Sequence, residues 1–522
     1  MPIVEALLAL IAACIGFALL ARRARLPYAV VLVLGGMALA FIPGVPQVEL
    51  DPDIALAFFL PPLLQASAYR TDWPAFRGSL RPILLLAVGA VIFTALVVGA
   101  AAKALVPGLS WAAAIALGAI VAPPDAVAAA AVLKRLSLPR RLVTVLEGES
   151  LVNDASALVL YRLALAAVAA GAVSWWSVGA NFVLLAAGGI AFGAGVGWLA
   201  IQAVRRLDDT MLETAASFVA CFGAFLGAEA LGASGVISVV TAGLMLGRAQ
   251  HSFSAATRRD SVAAWRFIEF VLTSLVFILI GLQLNAILGR LGAYGTLQLA
   301  GLAVALSAVL IASRFLWVFP ATAIECALGL RHTGGPRAVW KEAAIVSWAG
   351  MRGVVSLAAA LALPAGFPER DLIVFLAFCA ILATLVLQGT TLEALIRRLG
   401  AEERRRPGMP APEAAARAAF AHAALAEMER RAEDILSGAI ARDLLPEYRD
   451  RVRLLDGIGH GAVAAERAAR LELRLHALRA ARGQLLLHRD EAAVEEELMT
   501  RLTEEIDLEE LRLRRLLGAS DA

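Results

Sequence analysis

Charge is scarce in this chain. Only 17% of its 522 residues are Asp, Glu, Lys or Arg, and many of those fall after residue 400. Soluble domains carry about 25% charged and about 45–50% apolar residues, whereas here 60% are hydrophobic and the mean hydropathy is +0.76. A water-soluble globular fold is thereby excluded. Cysteine is equally sparse: Cys14, Cys221, Cys326 and Cys379 lie inside apolar segments without CxxC or Cys/His spacing, so no disulfide framework or thiolate metal centre is expected. No HExxH, P-loop or GxSxG occurs and no histidine falls deep in an apolar stretch, which gives an intramembrane enzyme no nucleophile–base pair and implies no bound cofactor. The net charge of +3 makes no case for nucleic acid.

What the chain does have is a series of apolar stretches near the length that crosses a bilayer, about 20 residues of helix for roughly 30 Å of hydrocarbon. Thirteen spans are expected, at 3–21, 27–43, 53–69, 82–105, 110–133, 142–170, 176–203, 211–230, 235–248, 267–289, 296–329, 342–364 and 371–396. The ninth is short, and the eleventh reads as a tilted helix with an interfacial piece. The first lacks a basic flank before it and is read as a retained helix, not a cleaved signal. Loops provide an independent test. Odd-numbered loops hold nineteen basic residues (among them Arg22, Arg77, Arg141, Arg205, Arg258 and Lys341), and even-numbered loops only Arg290 and Arg370. Basic loops stay in the cytoplasm, which places the N-terminus outside and the C-terminus inside. The fold class is therefore an all-α polytopic membrane protein, with an exchanger domain over residues 1–400 and a cytoplasmic helical domain over 401–522.

The tail opens on a charged, proline-broken linker, Glu402 to Glu413, and continues with helical leucine spacing (Leu471, Leu475, Leu478; Leu498, Leu502, Ile506). Two to four helices are expected, either regulatory or a solvated appendage. His422, His460, His476 and His488 fall here and read first as solvated side chains.

An ionisable group inside a span costs at least about 2.5–3.5 kcal/mol near the bilayer centre, so each is a functional candidate. One cluster lies in Leu146 to Ala157. Helical spacing stacks Glu149 on Asn153 and Ser150 on Asp154, so one face presents two carboxylates, a carboxamide and a hydroxyl. Such hard oxygens suit a small dehydrated cation, and a carboxylate can carry a proton instead. A polar patch that only joins helices is the competing reading, and two acids with no adjacent base make that costly. A second cluster is VAPPDAV, Val121 to Val127. Pro123 and Pro124 leave the carbonyls of Ala119 and Ile120 without helical partners, tolerable in mid-membrane only beside protein or a watery cavity. Asp125 then begins the next half-helix, whose dipole favours its anion; a mere kink is the alternative. A third is SWAGMRGVVSL, Ser347 to Leu357, where Arg352 sits between Gly350 and Gly353 and requires an anion, Glu149 or Asp125. The interrupted fifth and twelfth spans are seven apart, hence oppositely oriented, as two inverted repeats with discontinuous helices would be. Arg162, Arg314, Glu5, Glu213 and Glu229 read as weaker candidates that reach the interface or snorkel.

These residues, GESLVNDASALV, VAPPDAV, PPLL at Pro61 to Leu64, SWAGMRGVVSLAAALALP and QGTTL at Gln388 to Leu392, resemble the electroneutral sodium/proton antiporters of the monovalent cation:proton antiporter-1 family. The resemblance runs through residues 1–400 in order. It implies a homodimer of thirteen-helix protomers in a bacterial cytoplasmic membrane, working by alternating access in pH and sodium homeostasis. By the same resemblance Asp154 carries cation or proton, Asn153 partners it, Ser150 is a hydroxyl ligand of Na+, Asp125 is the acid of the broken helix, and Glu149 with Arg352 is a structural ion pair. Two departures stand out: Pro124 where the family commonly has Thr, and Ala66 beside Gln65 where many members have an acid. Independently of the family, one carboxylate that binds either H+ or Na+ produces one-for-one exchange if the empty site cannot cross. A proton-coupled symporter of organic solutes would instead show a spacious aromatic cavity, and a passive channel is the remaining rival.

Overall fold

The computed structural model describes residues 2–24, 26–42, 52–125, 129, 133, 136, 138–170, 175–207, 209–291, 294–329, 336–364, 366–401, 411–434, 438–455, 462–489 and 496–517, and no strand occurs among them. The chain divides into two compact units, Met1–Arg404 and Arg405–Ala522.

Helices of the first unit follow the expected apolar segments in order. They are α1 (Pro2–Ala24), α2 (Tyr28–Ala40), α3 (Pro52–Arg70), the short α4 (Trp73–Gly78), α5 (Leu80–Leu105), α6 (Trp111–Val121), α7 (Arg140–Ala170), α8 (Trp175–Leu207), α9 (Thr210–Ala230), α10 (Gly235–Ala249), α11 (Ala255–Arg290), α12 (Thr296–Ala327), α13 (Pro336–Trp348), α14 (Val354–Leu361) and α15 (Arg370–Leu399). Among the described residues seven are long and apolar enough to cross a bilayer unaided. Their apolar side chains point outward as well as inward, Leu184, Val219, Leu297 and Val304 all being strongly exposed. In water such a surface would aggregate; in lipid it is the expected one. The eleventh span forms one continuous helix, α12, that carries Pro320 inside it.

Local chemistry sets the helix ends. Ser110, Asp209, Ser234 and Ser254 each accept a first-turn backbone N–H and so start α6, α9, α10 and α11. Small residues let backbones touch where lipid gives no hydrophobic push. At the crossing of α2 and α11, a Cβ on Gly36 would lie 2.3 Å from the Ile278 carbonyl, and one on Gly281 2.3 Å from that of Val33.

Two helices are interrupted. The fifth stops at Val121 and runs through an unwound Ala122–Asp125, so the carbonyls of Ala119 and Ile120 lie in a terminated last turn; its continuation at 126–128, 130–132 and 134–135, Lys134 and Arg135 included, lies outside the described residues. The twelfth stops at Trp348, unwinds over Ala349–Gly353 and resumes at Val354. The two breaks meet: the Asp125 N–H donates to the Met351 carbonyl at 2.7 Å. Each unwound segment satisfies part of the other.

The second unit contains α16 (Ala411–Arg431), α17 (Gly438–Leu455), α18 (Ala462–Arg489) and α19 (Glu496–Leu517). Leu471 and Leu475 of α18 bury against Leu513 of α19, and Arg482 binds Glu510 at 2.7 Å. His422 and His476 are exposed, whereas residues 402–410 of the linker and His460 lie outside the described residues.

Candidate functional site

The helix α7 carries the first cluster through the centre of the unit. Glu149, Asn153 and Asp154 are buried there and Ser150 is half-buried. Asn153 Nδ2 donates to the carbonyl of Pro124 at 2.7 Å. The asparagine thus satisfies a main-chain carbonyl of the unwound segment itself, and it ties the carboxylate-bearing helix to the break.

Beside that bond lies a cavity of about 60 Å3, lined by Ser150 and Asp154 from α7, by Pro123, Pro124 and Asp125 from the first break, and by Gly353 at the second. The structure therefore brings together the four candidates Asp154, Ser150, Asp125 and, through the Pro124 carbonyl, Asn153. Side-chain carboxylates of Asp125 and Asp154 share this one space, and a volume of this size admits water or a small cation. Gly353 is required by close approach: a Cβ there would lie 1.8 Å from Asp125 Oδ2.

The ion pair differs from expectation. Glu149 is held by Arg314 of α12, with Nη1 to Oε1 at 2.6 Å and Nη2 to Oε2 at 2.7 Å, and both side chains are almost wholly buried (1% and 4% exposed). Arg314 Nε also donates to the Val346 carbonyl at 2.9 Å, fixing the fork to the end of α13. The Glu149–Arg352 pairing is thus corrected. A planar guanidinium matches a carboxylate with two parallel bonds, and Arg314, expected to snorkel, instead sits in mid-helix with its guanidinium buried against Glu149 and the Val346 carbonyl. Arg352, 1% exposed, instead donates from Nη1 to the Gly350 carbonyl at 2.9 Å, and its Nε has no partner among the described residues. Its backbone N–H donates to Thr384 Oγ1 at 3.1 Å. That threonine opens a wide turn of α15, Thr384–Gln388, a distortion that recurs at functional sites. Arginines 314 and 352 both flank Gly350.

The remaining expected candidates fall outside the cavity. Arg162 pairs with Glu229 at 2.5 Å, Glu213 lies in the first turn of α9, and Glu5 is exposed. Sequence reasoning passed over the bidentate pair Arg70–Glu269 (2.5 and 2.9 Å), although opposite charges at the facing ends of two spans were a readable signal. Gln65, beside the position where an acid was missed, is fully buried with no partner for either amide atom among the described residues.

The transmembrane part of the chain has known relatives. The profile of the sodium/hydrogen exchanger transmembrane family matches residues 7–398. An uncharacterized Na+/H+ exchanger of Mycobacterium tuberculosis is 34% identical over 97% of this chain and 95% of its own length. A sodium, potassium, lithium and rubidium/H+ antiporter of Bacillus pumilus is 33% identical over 69% of this chain and 56% of its own. The solved sodium proton antiporter MjNhaP1 of Methanocaldococcus jannaschii superimposes with a TM-score of 0.59 at 20% identity, covering 76% of this chain and 99% of that one, and so shares the fold. With an interrupted-helix crossing, a buried Asn-Asp pair and a family match through the whole transmembrane unit, the chain belongs to the sodium/hydrogen exchanger family.

Proposed function

We propose that this protein exchanges one Na+ for one H+ by alternating access, with Asp154 as the carrier both ions compete for. The observation that carries the reading is the charge balance around the cavity. Asp125 and Asp154 line the cavity, and three more buried charges adjoin it: Glu149, paired with Arg314, and Arg352, with Glu149 and Arg352 the chain neighbours of the lining residues Ser150 and Gly353. With every group ionised the set is one negative charge in excess, and a single Na+ or proton on Asp154 brings it to zero. Moving an uncompensated charge through a low-dielectric barrier is far costlier than moving a neutral set, so the loaded states cross and the empty one does not. Competition at one carboxylate then becomes one-for-one, electroneutral exchange.

Asn153 adds no proton to that balance, because a carboxamide does not titrate. Its bond to Pro124 holds the crossing in register while Asp154 changes partner. Ser150 and Asp154 are the proposed Na+ ligands, with Asp125 supplying field from the same cavity. A cavity of about 60 Å3 is well below the roughly 300–1,000 Å3 of small-molecule sites, which disfavours an organic-solute symporter. The basic odd-numbered loops support thirteen crossings in a bacterial cytoplasmic membrane, N-terminus outside and C-terminus in the cytoplasm. A homodimer is part of the same proposal.

Adding NaCl to purified protein in weak buffer tests this. Proton release that saturates with Na+, needs more Na+ as the pH falls and vanishes at high pH, where Asp154 is already deprotonated, is the expected result; no release with NaCl, LiCl or KCl would remove the antiport reading.

A further inference from the structure

An ion that leaves its water shell needs protein oxygens from several directions. The ligands so far assigned come from α7 and the first break alone. Two more hydroxyl side chains line the same cavity, Thr273 of α11 and Ser356 of α14. Each residue is 1% exposed, and neither hydroxyl oxygen has a hydrogen-bond partner among the described residues.

That is an expensive arrangement, since a buried hydroxyl left unpaired costs about 1–3 kcal/mol. Three other buried hydroxyls avoid it by donating to a carbonyl of the preceding turn: Ser313 to Leu310, Ser347 to Ala343 and Thr384 to Ala380, each at 2.8 Å. Ser238 and Ser274 are unpaired among the described residues as well but do not line the cavity. Ser356 lacks that outlet. It is the third residue of its half-helix, so the residues three and four before it, Gly353 and Arg352, belong to the unwound segment. Thr273 has a full turn of α11 beneath it and leaves it unused; the phenol of Tyr28 approaches its hydroxyl without completing a hydrogen bond. Cation binding close to the N-terminus of α14 would be opposed by the helix dipole, but the Asp125 carboxylate packs on Gly353 at that end and offsets it.

We propose that Thr273 Oγ1 and Ser356 Oγ are ligands of the transported cation, completing from α11 and α14 the shell begun by Asp154 and Ser150. This rests on the exchange reading above. A proton occupies one oxygen of Asp154 and needs neither hydroxyl, so the two residues set Na+ affinity, and the choice among Li+, Na+ and K+, separately from proton affinity.

The test uses full-length protein in proteoliposomes, with Thr273→Val, Ser356→Ala and the hydroxyl-retaining Thr273→Ser. The KM for Na+ is measured across pH, and thermal stability is measured with and without NaCl. Losing a contact to a charged group predicts a roughly tenfold rise in Na+ KM for T273V and for S356A, an unchanged proton dependence, altered Li+/Na+ preference, and recovery in T273S. Both hydroxyls being unpaired, neither truncation should lower stability in Na+-free buffer, whereas the stabilisation by NaCl should shrink. A Na+ KM within twofold of wild type in both truncations would overturn the proposal. So would Na+ KM and proton dependence shifting together, the mark of a distorted Asp154. Wild-type protein without Na+-driven proton flux would refute the exchange reading instead, and the comparison of variants would then be judged on stabilisation by NaCl alone, where equal responses overturn the ligand assignment.

Discussion

Replacing Glu149 by Gln and Arg314 by Met, singly and together, gives a cycle whose outcome the geometry fixes in sign and size. The two charges meet through parallel bonds of 2.6 and 2.7 Å with almost no water contact. Breaking such a pair by removing one member leaves a buried charge uncompensated and costs about 3–5 kcal/mol. The singles should not be equal. E149Q leaves Arg314 and Arg352 side by side around Gly350 with no carboxylate between them. R314M leaves Glu149 within the field of one remaining arginine, Arg352. E149Q is therefore the more damaging of the two. The double variant E149Q/R314M should regain most of the loss, while E149Q/R352M should regain less, because Arg314 then stays unpaired in its place at the Val346 carbonyl. The assay is the temperature of half-loss of monodisperse protein in detergent, in which each kcal/mol corresponds to about 2–4 °C for chains of 150–250 residues. Recovery in E149Q/R352M and none in E149Q/R314M would refute the pairing, and equal thermostability of all variants would refute the burial argument behind it.

Three further outcomes follow from particular contacts. Asp154→Asn should abolish Na+-driven proton movement in proteoliposomes while leaving the protein monodisperse, because no other cavity residue is proposed to carry both ions; substantial residual exchange would contradict that. Gly353→Ala places a methyl 1.8 Å from Asp125 Oδ2, so it should cut the transport rate at least tenfold, measurable as initial proton flux, and an unchanged rate would mean the crossing yields freely. Away from the cavity, the Tyr294 phenol donates to Glu369 at 2.7 Å, and that bond, with the carboxylate's charge, holds its pKa above the usual phenol value of about 10. Because the folded-state pKa is the higher one, the contribution is complete below the unfolded value and is lost as pH rises through the folded one; Tyr294→Phe should cost less than about 1 kcal/mol at neutral pH for so exposed a pair, and a larger loss in denaturant titration would contradict the exposure argument.

Much of the fold was readable because lipid makes the rules strict. Long apolar runs, basic loops and proline pairs each have one physical meaning at membrane depth, and the breaks at Pro123–Pro124 and Gly350–Gly353 both appear where those residues sit. The Asn153–Asp154 face was legible from helical spacing alone; its proximity to the first break was not. What spacing could not supply is which helices face each other. Arg314 and Arg352 were equally available to Glu149 on paper, and the flanking glycines of Arg352 drew attention that the mid-helix depth of Arg314 merited more. The glycines serve a different purpose: Gly353 makes room for Asp125, and Gly350 for both arginines. Thr273 and Ser356 were invisible for the same reason, since a hydroxyl in an apolar span usually bonds to its own helix, and only the packing reveals that these two do not.

The central claim is that one carboxylate, Asp154, exchanges one Na+ for one H+ inside a charge set that is neutral when loaded. The direct measurement is Na+-driven proton flux in liposomes clamped by K+ and valinomycin at several potentials. A membrane field acts on an uncompensated charge with about 2.3 kcal/mol per 100 mV, so a neutral loaded set predicts a rate and an endpoint that ignore voltage. A rate and endpoint that follow the imposed potential would mean that a second proton crosses with each turnover, and would make Asp125 its first suspect.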